Sequence, residues 1–287
     1  MDWSIVEGNR QKMDGGAMFG NAPKALWSRW HDCDSENRID LLCHCLVVRT
    51  EGFTAIMDTG VGAFMDPKYA SRFGVEQSEN VLLSNLAAKG IAESDVDYVI
   101  LSHLHFDHVG GILPDWPGIE SEDWSPLFPN AKYVLAERQW ERAQDPHPRD
   151  RASYTPGVPE KLMETGRLVL LRDDDPLIPE LDGIISFEFS DGHTPGLLHA
   201  IVQADGETLF FASDMISGPA WVHCPIVTGY DRNPELMIDE KRQVLERAVA
   251  GNWIVIYDHD PVVAASRIVF DESKGKFSAG EIVKGTE

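Results

Sequence analysis

Residues 99–111 read Val-Ile-Leu-Ser-His-Leu-His-Phe-Asp-His-Val-Gly-Gly, and this stretch decides how the rest of the chain is interpreted. An apolar run ends here in side chains that can bind a metal, and they are His103, His105, Asp107 and His108. Alternate residues of an extended chain point the same way, and a turn at the glycines can bring the last histidine round to join them. Imidazole and carboxylate are ligands that zinc and similar metals accept. Four of them exceed what one tetrahedral site with a free position needs, so the stretch predicts two adjacent metal ions.

The segment from His103 to His108 also resembles the His-x-His-x-Asp-His signature of the metallo-β-lactamase-fold hydrolases. In that family a later His, an Asp and a last His complete two metal sites. This chain has matching segments in the same order: Gly192-His193-Thr194-Pro195-Gly196, Ser213-Asp214-Met215 and Asp258-His259-Asp260-Pro261. Asp58-Thr59-Gly60 is similar to the family's early Asp-Thr-Gly element. The resemblance extends over nearly the whole chain and implies an α/β fold, the four-layer αββα sandwich of the metallo-β-lactamase type.

Residues 14–27 read Asp-Gly-Gly-Ala-Met-Phe-Gly-Asn-Ala-Pro-Lys-Ala-Leu-Trp, and their glycines and proline predict a loop. The string resembles the start of the YtnP-like quorum-quenching lactonases, which narrows the family to N-acyl-homoserine lactonases and their close relatives. We predict one domain over residues 1–287. Within it, residues 1–40 form a loop and strand segment that either covers the active site or makes a dimer contact.

The composition is that of a globular protein with an unusual charge. Hydrophobic residues make up 43% and the net charge is -22. A surface this acidic repels phosphate backbones and anionic membranes, so we expect neither nucleic acid nor membrane as a partner. It also favours a neutral small-molecule substrate, and it argues against the branches of this fold that cut RNA or DNA.

The four cysteines are too few for a disulfide framework in a chain of 287 residues. Cys43 and Cys45 alternate within a strand-like run, which predicts buried thiols. A Cys-His-Cys metal clip is the alternative, but strand geometry turns His44 away from both sulfurs. Reduced cysteines, no apolar leader and no apolar run near the length of about 20 residues that spans a bilayer together predict a cytoplasmic protein.

Strands and helices alternate through both halves of the sequence without a linker or repeat. The Asn233-Pro234-Glu235 segment predicts a helix start, and Gly251 predicts its end. Strand-like runs are predicted at residues 41–49, 53–57, 98–101, 132–135, 168–171, 184–189, 198–202, 209–212 and 253–257, and helices at 81–89 and 136–143. The candidate ligands follow such strands, which predicts that they lie along one edge.

The family resemblance implies a role for each ligand. His103, His105 and His193 would bind one metal, Asp107, His108 and His259 the other, and Asp214 would bridge them. We expect two Zn²⁺ ions per chain, with Mn²⁺, Fe²⁺ or Co²⁺ as alternatives. Two such ions about 3.5–4 Å apart can share a hydroxide that attacks an ester carbonyl. Asp107 and Asp214 are then the catalytic residues, and Asp107 can carry a proton to the leaving oxygen. Asp58 either orients a metal-binding imidazole or caps a turn.

These features predict a dinuclear hydrolase that opens lactone rings, in particular those of N-acyl-homoserine lactones. Known lactonases of the fold carry a Tyr three residues after the bridging Asp, where this chain has Ser217. Ser217, His223 or Tyr230 could replace it. The departure is compatible with an alternative, an organophosphate or aryl-ester hydrolase of the methyl parathion hydrolase type. A non-hydrolytic di-iron or metal-sensing protein is a further, separate alternative. Apolar candidates for contact with an acyl chain are Met18, Phe19, Phe64, Phe106 and Trp221.

Overall fold

Two six-stranded β-sheets and eight α-helices form the protein in this computed structural model, which describes residues 1–285. The chain divides into two compact units. The first contains Met1–Gln11 and Leu42–Pro176, and the second contains Lys12–Leu41 and Leu177–Gly285. The candidate ligands are divided between them, with residues 103–108 in the first unit and the later three in the second.

The first sheet has its six strands in chain order. β2 and β3 are antiparallel, whereas β3, β4, β5 and β6 run parallel. Because the carboxyl ends of parallel strands lie at one edge of a sheet, the segments that follow β3 and β4 emerge side by side. The strands are β1 (Asp2–Asp14), β2 (Arg38–Arg49), β3 (Thr54–Met57), β4 (Tyr98–Ile100), β5 (Lys132–Ala136) and β6 (Leu168–Leu171).

The second sheet has the order β12-β11-β10-β9-β8-β7. β9 and β10 are parallel, with Phe211 opposite Ile256, and the remaining pairs are antiparallel. The segments that carry Asp214 and His259 therefore leave the sheet at the same edge. The strands are β7 (Ile185–Ser190), β8 (Leu197–Ala204), β9 (Glu207–Phe211), β10 (Ile254–Ile256), β11 (Ala265–Asp271) and β12 (Lys276–Ile282).

The longest helix, α8, has the start and end that its sequence predicts. Pro234 occupies its first turn and Gly251 follows its last residue, and the buried side of the helix contains Met237, Val244 and Leu245. Among residues 1–285, no helix combines the length and the apolar character that crossing a bilayer requires. The helices are α1 (Gly15–Met18), α2 (Lys24–Trp27), α3 (Pro67–Arg72), α4 (Val81–Ala88), α5 (Phe106–Val109), α6 (Glu137–Gln144), α7 (Val158–Glu164) and α8 (Pro234–Ala250).

Two local predictions were wrong. The ligand stretch is not extended as far as Asp107, because β4 ends at Ile100 and α5 begins at Phe106. The backbone N–H groups of His108 and Val109 both donate to the carbonyl of His105, which closes a helical turn. Residues 14–27 are not a loop but contain α1 and α2. Asp14 starts α1 by accepting the N–H of Ala17 at 2.8 Å, as a helix cap does.

Candidate metal centre

In the first unit, the turn after β3 supports the imidazole of His108. Asp58 has a positive φ of 54°, which an aspartate tolerates better than most residues. Its Oδ2 accepts hydrogen bonds from His108 Nδ1 at 2.8 Å and from the Ser102 hydroxyl at 2.6 Å. Its Oδ1 accepts the backbone N–H of Ser102 at 2.7 Å. With the proton on Nδ1, the Nε2 atom of His108 has its lone pair available for a cation.

The two glycines after α5 allow this packing. A Cβ at Gly110 would lie 1.9 Å from the carbonyl oxygen of Val61, and one at Gly111 would lie 2.0 Å from that of Thr59. A larger residue at either position would push α5 away from the Asp58 turn. The two glycines that follow the signature therefore allow the two backbones to approach each other closely.

His103 and His105 present their nitrogens to each other. The Ser102 hydroxyl donates to Asp58, so His103 Nδ1 donates to Ser102 Oγ at 2.9 Å and its Nε2 carries the lone pair. That Nε2 lies 2.9 Å from His105 Nδ1. Two ligands bound at 2.0–2.1 Å to one ion are about 2.9–3.4 Å apart for bond angles between 90° and tetrahedral. The pair therefore fits two ligands of a single ion.

Asp107 is held by a residue that the sequence did not single out. Gln11, on β1, donates from Nε2 to Asp107 Oδ2 at 2.7 Å, and both side chains are buried. The other oxygen, Oδ1, lies 3.7 Å from His108 Nε2. Gln11 therefore fixes one carboxylate oxygen and directs the other toward the histidine.

Tyr154 is a second residue that the sequence did not indicate. Its ring meets that of His105 edge to face, with centroids 4.8 Å apart, and its backbone forms a β-bridge with His105. The phenol donates to Gln139 Oε1 at 3.0 Å. These contacts restrict the rotation of the His105 ring.

In the second unit, Asp214 lies between two imidazoles. Its Oδ2 is 3.0 Å from His193 Nε2, and its Oδ1 is 3.2 Å from His259 Nε2. Each oxygen therefore lies as far from its histidine nitrogen as two ligands of one ion lie from each other. The two oxygens face different histidines. Asp258 Oδ2 lies 3.4 Å from the same His259 nitrogen.

His193 is oriented by a buried aspartate. Its Nδ1 donates to Asp231 Oδ1 at 2.8 Å, and Thr228 donates to Asp231 through both its N–H and its hydroxyl. Burial lowers the pKa of His193, but the carboxylates of Asp214 and Asp231 outweigh it and raise that pKa to about 10. The same negative charge favours a cation at Nε2, where it would displace the proton. In both units, then, the donor types and their spacing fit divalent metal ions.

The predicted acyl-chain residues are mostly interior. In the second unit, Phe19 stacks on Trp221 and Trp27 with ring centroids 4.5 and 5.6 Å away, and Trp221 Nε1 donates to the Met18 carbonyl. All four belong to one hydrophobic core cluster. In the first unit, Phe64 is 9% and Phe106 is 6% exposed, so both are buried. Their contact with a substrate remains a prediction.

The candidates for the missing tyrosine lie in different surroundings. Ser217 is fully buried, and its carbonyl accepts the N–H of His259 at 3.1 Å. His223 lines a cavity of about 400 Å³ with Arg242 and Lys276, and none of the predicted ligands lines that cavity. Burial, together with the positive charges of Lys276 and Lys241, lowers the pKa of His223. Tyr230 is 40% exposed. A substrate contact for any of them remains a prediction.

The segment around the signature is similar to known sequences. Residues 38–114 match the sequence profile of the Metallo-beta-lactamase superfamily. The probable metallo-hydrolases of Mycobacterium bovis and Mycobacterium tuberculosis are 35% identical over 114 residues, and the match spans 35% of this chain and only 36% of their length. An N-acyl homoserine lactonase of a Bacillus species is 22% identical over 77% of this chain and 82% of its own.

Solved structures extend the likeness to almost the full chain. A probable metal-dependent hydrolase from Staphylococcus aureus is 27% identical, with a TM-score of 0.83 over 98% of both chains. This chain resembles the metallo-β-lactamase superfamily in sequence over residues 38–114 and in fold over nearly its whole length. The dizinc quorum-quenching lactonase AidC, solved with a product, is 18% identical, with a TM-score of 0.72 over 98% of this chain and 94% of its own, and shares the fold.

The two mixed sheets with their helices, together with this likeness to a solved metal-dependent hydrolase, confirm the predicted metallo-β-lactamase fold class. The relatives include a probable metal-dependent hydrolase and an N-acyl homoserine lactonase, which agrees with the predicted enzyme class.

Proposed function

We propose that this protein is a dinuclear metal-dependent lactonase that opens the ester ring of N-acyl-homoserine lactones, and so acts in quorum quenching. The observation that carries the proposal is the position of Asp214. Its two oxygens lie 3.0 and 3.2 Å from the Nε2 atoms of His193 and His259, respectively. A carboxylate that faces two separate ligand nitrogens in this way suits a bridge between two ions.

The proposed ligand sets follow the family pattern. His103, His105 and His193 would hold one ion, Asp107, His108 and His259 would hold the other, and Asp214 would contact both. Zinc is proposed for both positions, because the donor set is imidazole and carboxylate and the ring nitrogens are held in defined tautomers. When bound, two such ions supply an activated water and polarise the carbonyl under attack.

The chain's own residues provide orientation and proton transfer. Asp58 accepts a hydrogen bond from His108 Nδ1, and Asp231 accepts one from His193 Nδ1. In each histidine the Nε2 atom then points away from the aspartate that accepts this bond. Gln11 fixes Asp107 Oδ2, so that the remaining oxygen can carry a proton to the leaving alkoxide. No serine or cysteine nucleophile is needed.

Two features of this chain support a neutral cyclic ester as the substrate. The first is the sequence similarity to an N-acyl homoserine lactonase over most of both chains. The second is the net charge of -22, which disfavours anionic substrates. Ser217 at the position of the family's tyrosine favours one competing function, the hydrolysis of organophosphates or aryl esters by the same centre.

Ring opening by the metal-loaded protein tests the proposal. N-acyl-homoserine lactones of several chain lengths and a phosphotriester are offered to one zinc-loaded preparation, and acid release is followed in a pH-stat. The proposal predicts lactone turnover that is lost in Asp214→Ala and retained in the surface variant Asp239→Ala. Turnover of the phosphotriester alone would establish the competing function, and no turnover of any lactone would refute the proposal.

A cytoplasmic location and a homodimeric assembly are also proposed. Cys43, Cys45 and Cys224 are buried thiols and Cys33 is a partly buried one, which suits the reducing conditions of the cytoplasm. A homodimer is proposed from the family resemblance, and sedimentation analysis of the purified protein would test it.

A further inference from the structure

Asp258 is a buried carboxylate beside the proposed ligands that the family signature does not include. It directly precedes His259 after β10 and is 2% exposed. Its Oδ2 lies 3.4 Å from His259 Nε2, and Asp214 Oδ1 lies 3.2 Å from that same nitrogen. The candidate ligand atoms of these three residues all lie within 4.8 Å of one another.

The strand register explains why the two carboxylates meet. β9 and β10 are parallel with Phe211 opposite Ile256, and the N–H of Ala212 donates to the carbonyl of Ile256 at 3.1 Å. Both chains leave the sheet just beyond this pair. Tyr257 is buried and shares a hydrogen bond of 2.6 Å with Ser266, and Asp258, the next residue, lies beside the ligands.

We infer that Asp258 binds the same ion as His259, as a carboxylate ligand beyond the seven that the resemblance implies. The inference rests on the metal centre of the proposed function. Ligands of one ion at bonds of 2.0–2.1 Å are about 2.9–3.4 Å apart, and both carboxylate-to-imidazole distances around His259 Nε2 lie in this range. Two carboxylate oxygens therefore lie at ligand-like separations from one imidazole nitrogen in the second unit.

The neighbouring Asp260 shows the contrasting, structural role. Its Oδ1 accepts the backbone N–H groups of Val262 and Val263 at 3.0 and 2.8 Å, and it thereby fixes the loop after His259. Asp258 places its oxygen next to a ligand nitrogen instead. A divalent ion at this point would interact favourably with the buried negative charge of Asp258.

The extra carboxylate changes which metal the position favours. Carboxylate oxygens suit Mn²⁺, whereas an imidazole-rich set suits zinc, and added negative charge strengthens the binding of any divalent cation. The position that includes His259 should therefore bind Mn²⁺ more tightly than the same position would without the Asp258 carboxylate. Neutralising Asp258 should shift that preference toward zinc.

Titration of metal-free protein with Mn²⁺ and with Zn²⁺, followed by calorimetry, tests the inference without any substrate. Wild type should bind two ions per chain. Asp258→Asn should lower the affinity for one of the two ions by at least about tenfold, because the loss of a residue that only supports a ligand already costs that much. The affinity for Mn²⁺ should fall more than that for Zn²⁺. The matched control Asp271→Asn, on an exposed hairpin of the same unit, should bind as wild type does. Unchanged affinities in Asp258→Asn would overturn the inference.

A second measurement covers the case in which Asp258→Asn does not fold. In a crystal structure of the wild-type protein with Mn²⁺ bound, located by its anomalous signal, an Asp258 oxygen should lie within about 2.5 Å of an ion. A separation beyond that would overturn the inference. Two bound ions without lactone turnover would count against the proposed function alone, and no bound ion would count against both.

Discussion

His193 donates a hydrogen bond of 2.8 Å from Nδ1 to the buried carboxylate of Asp231. In the first unit His108 makes the same bond, also 2.8 Å long, to Asp58. In both, an aspartate fixes the tautomer of an imidazole and directs Nε2 toward the proposed metal position. Such outer partners raise the basicity of a ligand and hold its orientation.

Replacing Asp231 by Asn should weaken metal binding by about 10- to 100-fold, because the amide cannot stabilise the imidazole as a carboxylate does. Competition with a chromogenic chelator measures the affinity. The control is Asp239→Asn, an exposed residue on α8, which should match wild type. Equal affinities in the two variants would show that the Asp231 bond does not support the centre.

Removing the amide of Gln11 should slow turnover more than it changes the KM for a lactone. Gln11→Leu leaves Asp107 Oδ2 without its 2.7 Å donor, so the carboxylate can rotate away from the position in which it transfers a proton. We expect a loss in kcat of about tenfold, the lower end of what general acid catalysis contributes. Gln144→Leu, at the exposed end of α6, is the control. A changed KM with an unchanged kcat would instead place Gln11 in substrate binding.

The buried His199 should make stability depend on pH. Burial lowers its pKa to about 4, well below the 6.5 of the unfolded chain. Between these two values the unfolded state binds more protons than the folded state does. The contribution of His199 to the free energy of unfolding is therefore fully present above pH 6.5 and is lost as the pH falls toward 4. The shift corresponds to at most about 3 kcal/mol.

Urea unfolding of metal-free protein at a series of pH values measures this effect. His199→Gln cannot charge and can still bond the Ser190 hydroxyl, which lies 2.9 Å from His199 Nε2. Its free energy of unfolding should therefore decline less than that of wild type between pH 6.5 and 4. His147→Gln, at an exposed histidine, should follow wild type. Parallel curves for His199→Gln and wild type would show that His199 does not cause the pH dependence of stability.

The buried ring of Phe19 should contribute strongly to stability. It is fully buried and stacks on Trp221, so Phe19→Ala should lower the free energy of unfolding by about 3–5 kcal/mol. Tyr69→Ala, at a side chain that is 58% exposed, should change it by less than about 0.5 kcal/mol. A Phe19→Leu variant with an altered KM and wild-type stability would show instead that the ring contacts the acyl chain.

The sequence alone predicts those parts of the site and fold that depend on residue type and local spacing. Most strands were located because they are continuous apolar runs, as in β3 and β4, which are buried throughout. The cluster at residues 103–108 was recognisable because its ligand types are dense. The extended path through Asp107 was wrong because two N–H groups close a turn onto the His105 carbonyl, a local choice that the residue pattern does not reveal.

The supporting residues could not be predicted, because their partners are distant along the chain. Gln11 and Asp107 are 96 positions apart, and His193 and Asp231 are 38 apart. Each bond forms only after the strands and turns have placed both residues. Asp258 was visible beside His259 in the sequence, but only the register of β9 and β10 shows that it lies next to Asp214.

The metal content of the purified protein tests the central claim most directly. Elemental analysis of wild type and of Asp214→Ala, each saturated with zinc and then freed of excess metal, counts the ions per chain. The account predicts two ions in wild type and fewer than two in Asp214→Ala, because the proposed bridge is lost. One ion or none in wild type, or two ions retained in the variant, would contradict it.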